Sequence, residues 1–151
     1  MKQRNLFSKP KSDTQKSNQV SENNVSRSNC SKYVVNERFT QSFRLKSTLT
    51  KSEDIKIYEE IQRHRLQILV WSKLYYDMDT SVVSDNTFDQ VGKELVRLQA
   101  EYPEISRMVA YADEFENWSG NTGFDLPLQD IWVCTKARQI LDIDRRRRNG
   151  K

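Results

Sequence analysis

A cluster of aromatic rings and carboxylates marks one corner of the sequence as a candidate binding site. Seven such residues occur within fifteen positions: Tyr75, Tyr76, Asp77, Asp79, Asp85, Phe88 and Asp89. Asp85 and Asp89 are four residues apart, so on a helix their side chains share one face. A hairpin built only for stability does not need so many rings and acids at its turn, and we therefore interpret this corner as the candidate site.

Patterns typical of catalysis or metal binding are absent from the sequence. His64 is the only histidine, and its neighbours Arg63 and Arg65 predict a surface residue rather than a general base. The sequence contains no zinc-ligand spacing, no glycine-rich phosphate loop and no nucleophile elbow. We therefore expect neither an enzyme nor a bound metal.

Apolar spacing predicts two helices that meet at this corner. The first covers about 51–76, and Thr50 with Glu53 has the spacing of a capping box at its start. The second begins after Ser84, a good N-cap residue, and ends before Pro103. Because the loop between them is short, we expect an antiparallel hairpin.

Two more helices follow, so the predicted fold class is all-α with about four helices around a central antiparallel hairpin. The third helix is expected from Ile105 to about Asn117, and the fourth begins near Asp125 and Pro127 and runs to the arginine cluster. The predicted helical domain covers 51–144, of which 51–104 is the hairpin.

The first fifty residues read differently. Residues 1–32 are basic, polar and low in complexity, which predicts a disordered tail. Residues 33–50 are predicted to form an extended arm or linker, because Phe39, Gln41, Phe43 and Leu45 alternate with a period of two. A short strand, or a linear motif that docks on a partner, would show the same alternation, and the arm at 33–45 is the favoured interpretation.

Charge divides the chain into three blocks. Residues 1–52 hold 11 Lys+Arg against 3 Asp+Glu, whereas residues 53–144 hold 9 against 18. Residues 145–151 form a basic C-terminal tail in which the candidate nucleic-acid or partner-binding residues are Arg145, Arg146, Arg147 and Arg148. Such basic ends attract nucleic acid or another anionic surface.

The remaining features favour a cytoplasmic protein that does not contact a membrane. No apolar run approaches the roughly 20 residues of a membrane span, and no signal peptide is visible. Cys30 and Cys134 are the two cysteines. A reduced pair is the favoured interpretation and a disulfide the alternative.

From Leu74 to Asp89 the chain reads LYYDMDTSVVSDNTFD, followed by Lys93-Glu94-Leu95 and Tyr102-Pro103-Glu104. This order resembles the N-terminal helical domain of NAD-dependent DNA ligases. That family typically shows an aromatic or His pair, an Asp-x-Pro turn, Ser/Pro-Asp-x-x-Tyr-Asp, Glu-Leu and Pro-Glu. The resemblance covers roughly residues 55–104 and suggests a free-standing, ligase-like protein without the nucleotidyltransferase domain.

In that family the domain recognises the nicotinamide mononucleotide (NMN) half of NAD+. The resemblance therefore implies NAD or NMN as ligand, Tyr75 as the ring that stacks on the nicotinamide, and Tyr76 beside it. Asp85 and Asp89 would hold the nucleotide, and Phe88 stands where the family has Tyr. Stacking on a cationic ring and charge-assisted hydrogen bonds from ribose hydroxyls are compatible with these residue types.

The alternative interpretation of the same corner is structural: Tyr75 and Phe88 would close the core of the hairpin, and Asp85 would serve only the helix terminus. The ligases use a nucleophilic lysine in a Lys-x-Asp-Gly motif that does not occur here.

Two functions follow from these observations. The first is a non-catalytic protein that binds a nicotinamide nucleotide at the corner. The second is an accessory, adaptor or inhibitor protein of the phage or mobile-element type. It would use the hairpin as a scaffold and its basic tails to contact nucleic acid or a protein.

Overall fold

The computed structural model describes residues 37–150, and this part of the chain folds into helices without a strand. Six helices follow one another: α1 (Glu37–Lys46), α2 (Ser52–Met78), α3 (Asp85–Glu101), α4 (Pro103–Met108), α5 (Ala112–Phe115) and α6 (Ile131–Asn149). The all-α prediction is confirmed, with six helices in place of about four. The tail predicted at 1–32 lies outside the described residues.

Helices α2 and α3 form the predicted hairpin. Trp71 packs against Phe88 with 6.5 Å between ring centroids, and Arg65 reaches Gln99 further down both helices. Because the partner number rises on α3 as it falls on α2, the two helices run antiparallel. The core between them is formed by fully buried aliphatic and aromatic side chains: Tyr58, Ile61, Ile68, Leu69, Phe88, Leu95 and Leu98.

The two predicted helix starts have different outcomes. Ser84 caps α3 as expected, because its Oγ accepts a hydrogen bond from the Thr87 amide at 3.1 Å. The capping box expected at Thr50 and Glu53 is wrong. Lys51 is the N-cap of α2 and makes no side-chain capping hydrogen bond.

Arg65 holds together the region where one continuous third helix was expected. Arg65 is 1% exposed, and its guanidinium donates to the main-chain oxygens of Ser106, Val109 and Ala110 at 3.0–3.1 Å. These carbonyls are available because the chain leaves the helix after Met108. The single helix expected from Ile105 to Asn117 is therefore wrong, and α4 and α5 replace it.

The charge of Arg65 is buried among neutral partners. Gln99 Oε1 accepts from Nε and Nη2 at 3.0 and 2.9 Å, Ser106 Oγ accepts at 2.6 Å, and the guanidinium lies 5.6 Å from the ring centre of Phe115. Burial lowers the pKa of Arg65 to about 10, with the nearby Tyr58 opposing the shift. The side chain is therefore protonated at neutral pH, and its hydrogen bonds offset the loss of hydration.

The segment predicted as an extended arm is helical over Glu37–Lys46, so that prediction is wrong for these residues. Ser42 is buried, hydrogen-bonds the Tyr58 hydroxyl and accepts from the Ala110 amide at 3.0 Å. Phe39, one turn earlier, packs on Tyr111. The inward face therefore follows a helical spacing of three, and Phe43, which completed the alternating pattern, is 72% exposed. Residues 33–36 lie outside the described part.

Helix α6 begins later and continues further than predicted. Asp130 caps it by accepting from the Trp132 amide at 2.9 Å, whereas Asp125 and Pro127 lie in the preceding turns. The four arginines predicted as a separate tail belong to the last turns of this helix. Lys151 lies outside the described residues.

Two expectations about reactive side chains are wrong. His64 is 8% exposed rather than on the surface, and its Nδ1 lies 3.1 Å from Gln67 Oε1. Cys134 is buried and disulfide-bonded rather than a free thiol. Cys30 lies outside the described residues. Over residues 37–150 we find no helix that combines the length and apolarity of a membrane span.

Candidate functional site

The candidate site lies where α2 ends and α3 begins. Asp79 terminates α2 in the left-handed conformation, with φ of 50°, which Asp adopts more readily than most residues. The Thr80 amide then donates back to the Leu74 carbonyl at 2.9 Å, and Ser81 Oγ donates to the Val83 carbonyl at 2.7 Å. The loop is thus fixed by its own hydrogen bonds, which position the flanking helix ends.

Two carboxylates of the acidic cluster have structural roles. Asp79 forms the turn, and Asp77 accepts from Lys73 Nζ at 2.6 Å and from Gln129 Nε2 at 2.7 Å. Lys73 is 1% exposed and also donates to Gln129 Oε1 at 3.1 Å. This network ties α2 to the turn before α6, and sequence reasoning missed it because Lys73 and Gln129 are 56 positions apart.

The two tyrosines of the cluster differ in their surroundings. Tyr75 is half-buried, and its ring meets that of Tyr76 edge-on at 5.1 Å and 88°. Tyr76 bonds through its hydroxyl to Thr122 Oγ1 at 2.8 Å, and its ring packs edge-on against Phe124 at 5.3 Å. Tyr76 is therefore held by a later segment of the chain.

The acidic side chains of α3 occupy two different environments. Asp85 is exposed in the first turn, where the helix dipole favours a carboxylate. Asp89, one turn later, is half-buried, and its Oδ1 is inaccessible to solvent and accepts no hydrogen bond from any described residue. Phe88 is 1% exposed and packs on Trp71, so in this structure its ring supports the corner from the core.

A segment from Trp118 to Phe124 crosses both helices beside the corner. Gly123 lies so close to α2 that a Cβ placed on it would stand 1.8 Å from Ser72 Oγ, and a Cβ on Gly92 would stand 2.8 Å from the Gly120 carbonyl oxygen. Trp118 Nε1 donates to the Thr122 carbonyl at 2.6 Å. The Gly and Asn content of this segment is typical of a turn but gives no indication of its packing against α2 and α3.

Part of the chain is similar to known proteins. Residues 54–108 match the DNA ligase-like, N-terminal NAD+-binding domain. This confirms the resemblance read from Leu74 to Glu104, and the matched region contains Tyr75, Asp85 and Asp89. It also contains Arg65 and both helices of the hairpin.

Two DNA ligases are similar to the same part of the chain. The ligase of Lactobacillus delbrueckii subsp. bulgaricus is 34% identical over 70 residues, and that of Levilactobacillus brevis is 36% identical over 69. Each alignment covers 46% of this chain and 10% of the ligase. The chain thus matches about a tenth of the length of these relatives. No solved structure matches the chain.

Segments outside the ligase-like region complete the surroundings of the corner. Thr122 and Phe124 contact Tyr76, and Gln129 contacts Asp77. Trp132 packs against Phe39, with 5.4 Å between ring centroids. Of the two tryptophans outside the match, Trp118 belongs to the segment that lies across the hairpin. Within residues 37–150 no three His, Cys, Asp or Glu side chains converge as metal ligands would.

The arginines of the second candidate site lie at the far end of α6. Arg145, Arg146, Arg147 and Arg148 are all exposed. Arg148 Nη2 approaches Asp144 Oδ2 to 2.7 Å, an ion pair between side chains one turn apart. The structure places these residues on one helix rather than in a separate tail.

Proposed function

We propose that the ligase-like region binds the nicotinamide half of NAD+ or free NMN at the corner formed by Tyr75, Asp85 and Asp89. The observation that carries this proposal is the buried, unpartnered Oδ1 of Asp89. A buried acceptor without a donor costs about 1–3 kcal/mol. Such a group calls for an explanation, and a ligand that supplies the missing hydrogen bond is the one that we propose.

Each of the three residues has a distinct role in this proposal. The Asp89 carboxylate turns its Oδ1, which is closed to solvent in the unbound chain, towards the ligand and accepts a charge-assisted hydrogen bond from a ribose hydroxyl. Asp85 is exposed at the start of α3 and complements the positive charge of the nicotinamide ring. Tyr75, half-buried one helical turn after Trp71, offers its ring for stacking and cation–π attraction.

The other two predicted site residues act indirectly. Phe88 fixes the first turn of α3 by packing against Trp71. Tyr76 is engaged by Thr122, so it orients the neighbouring Tyr75 rather than contacting the nucleotide. The proposed ligand contacts are therefore fewer than the sequence suggested.

The proposed role is binding without catalysis. The sequence holds no Lys-x-Asp-Gly motif, and its match to the ligases is confined to the NAD+-binding region. A domain that holds only one half of the dinucleotide forms few contacts. We therefore expect a dissociation constant in the millimolar range, equivalent to about 4 kcal/mol of binding free energy. Cytoplasmic localisation stays a prediction.

Amide NMR of the full 151-residue chain during titration with NMN tests the proposal. We expect saturable shifts centred on Tyr75, Asp85 and Asp89, which Tyr75→Ala abolishes and Tyr75→Phe retains because the ring face remains. Asp113→Asn, at an exposed acidic position on α5, should leave the shifts unchanged and is the charge-matched control for Asp→Asn changes at the corner. Absence of saturable shifts at this corner with both NMN and NAD+ would refute the proposal.

A further inference from the structure

The last turns of α6 carry a cluster of positive charge that is largely unpaired by carboxylates of the described residues. All four arginines from Arg145 to Arg148 are exposed. Asp144 pairs with Arg148, but Arg145, Arg146 and Arg147 form no ion pair with any residue that the structure describes. Within residues 37–150, three guanidinium groups therefore have no carboxylate partner and can bind an anion.

The helical backbone gives these side chains a defined arrangement. α6 continues to Asn149, and the Gly150 amide donates to the Arg146 carbonyl at 3.0 Å. Successive residues of a helix are about 100° apart, so four of them surround about 300° of its circumference. An extended polyanion therefore meets two or more guanidinium groups from almost any direction of approach.

The remainder of α6 and of the domain directs an anion towards this end. α6 is anchored by the buried Val133, Cys134 and Ala137, whereas every residue from Arg145 to Gly150 is exposed. Residues 53–144 hold 18 Asp+Glu against 9 Lys+Arg. The acidic body repels a polyanion, so within residues 53–150 contact is favoured at the end of α6.

We propose that the end of α6 binds the phosphate backbone of duplex DNA. Arginine matches phosphate with a planar pair of donors, and backbone contacts of this kind carry no sequence information. A protein partner fits the surface less well, because protein interfaces are built around buried apolar anchors. Ile143, at 49% exposure, is the one large apolar side chain exposed on α6 among the described residues.

DNA binding at the end of α6 should weaken steeply as the salt concentration rises. Three to four phosphate contacts give a slope of about −3 in the logarithm of the association constant against the logarithm of salt concentration. Affinity should therefore fall about 40- to 150-fold between 50 and 200 mM NaCl. Two duplexes of different sequence should bind alike.

Fluorescence anisotropy of a labelled 20-base-pair duplex with the full chain tests this site. We expect Arg145/Arg146/Arg147→Gln to weaken binding at least tenfold at 50 mM NaCl and to flatten the salt slope. The same three positions changed to Lys should bind within about threefold of the wild type, because the charge is kept. Circular dichroism confirms that each variant is folded.

A second triple variant distinguishes a specific contribution of the α6 arginines from an effect of net charge alone. Lys56, Lys93 and Arg107 are exposed on the body, and changing them to Gln removes the same charge. We expect this variant to bind DNA as the wild type does. Equal losses in both triple variants, an unchanged affinity in the α6 variant, or a strong sequence preference would each overturn the proposal. Retained binding by the α6 variant would place the contact among the basic residues 1–52.

Discussion

Arg65 and Asp89 are both charged residues with buried atoms in the ligase-like region, and they differ in how those atoms are satisfied. Arg65 directs its donors to Gln99, Ser106, Val109 and Ala110. Asp89 leaves Oδ1 without a partner among the described residues. A buried charge with all its hydrogen bonds made stabilises the fold. An unsatisfied buried acceptor raises the free energy of the unbound fold, and a ligand that donates a hydrogen bond to it would lower that free energy.

Replacing Arg65 tests whether its satisfied hydrogen bonds stabilise the fold. We expect this substitution to lower the free energy of unfolding more than any other described below. Arg65→Met keeps the apolar stem but removes the guanidinium donor from three main-chain carbonyls, of which that of Ser106 alone keeps a second donor, the Val109 amide. Since each unsatisfied carbonyl costs about 1–3 kcal/mol, we expect a loss of about 3–5 kcal/mol in the free energy of unfolding. Urea denaturation followed by circular dichroism measures it.

Arg63→Met is the matched control, because Arg63 lies two positions away and its side chain is 60% exposed. We expect a change within about 0.5 kcal/mol. Similar losses in the two variants would mean that the buried hydrogen bonds of Arg65 contribute no more than a surface charge.

Gly123→Ala probes how closely the crossing segment must lie on the hairpin beside the corner. The added Cβ would stand 1.8 Å from Ser72 Oγ and 2.5 Å from its Cβ. Either the crossing segment or α2 must move, which should lower the free energy of unfolding by about 1–3 kcal/mol. Thermal or urea unfolding measures this loss. Asn121→Ala, at an exposed position of the same segment, should change stability little.

A double variant shows whether Ser72 is the cause of that loss. Ser72→Gly removes both clashing atoms but weakens α2 by about 1 kcal/mol. Combined with Gly123→Ala, it should recover most of the stability lost through the clash. If the two losses simply add, the contact between the segment and α2 does not determine the effect.

Replacing Asp89 should separate stability from binding. Asp89→Asn puts a neutral amide where a carboxylate oxygen is buried without a donor, so we expect unchanged stability or a gain of up to about 1 kcal/mol. The same variant should lose the NMN-dependent amide shifts. A large loss of stability would show that Asp89 supports the fold, as Arg65 does.

The sequence predicted the parts of this molecule that local spacing controls. The hairpin followed from its apolar stripe and from Ser84, whereas the binding site inferred from the crowding of Tyr75, Asp85 and Asp89 stays a prediction. The break between α4 and α5 did not, because it depends on Arg65, which lies more than forty positions earlier than the carbonyls it binds. Whether a charged residue is satisfied is a property of distant partners, so the contrast between Arg65 and Asp89 required the structure.

Glu94 and Arg97 form an ion pair at the surface, and we expect its loss to change the free energy of unfolding least. Arg97 donates to both oxygens of Glu94, at 2.9 and 2.7 Å, and this contact lowers the pKa of Glu94 below its usual value. A lowered folded pKa means that the pair stabilises the protein above the unfolded pKa of the carboxyl, and that this contribution disappears as the pH falls through the folded pKa.

Glu94→Gln should therefore be slightly less stable than the wild type at neutral pH and equal to it in acid, as measured by urea unfolding at both pH values. Because water screens both exposed side chains, the neutral-pH difference should be far smaller than that for Arg65→Met. A comparable loss would mean that burial is not what distinguishes the charges that hold this fold together.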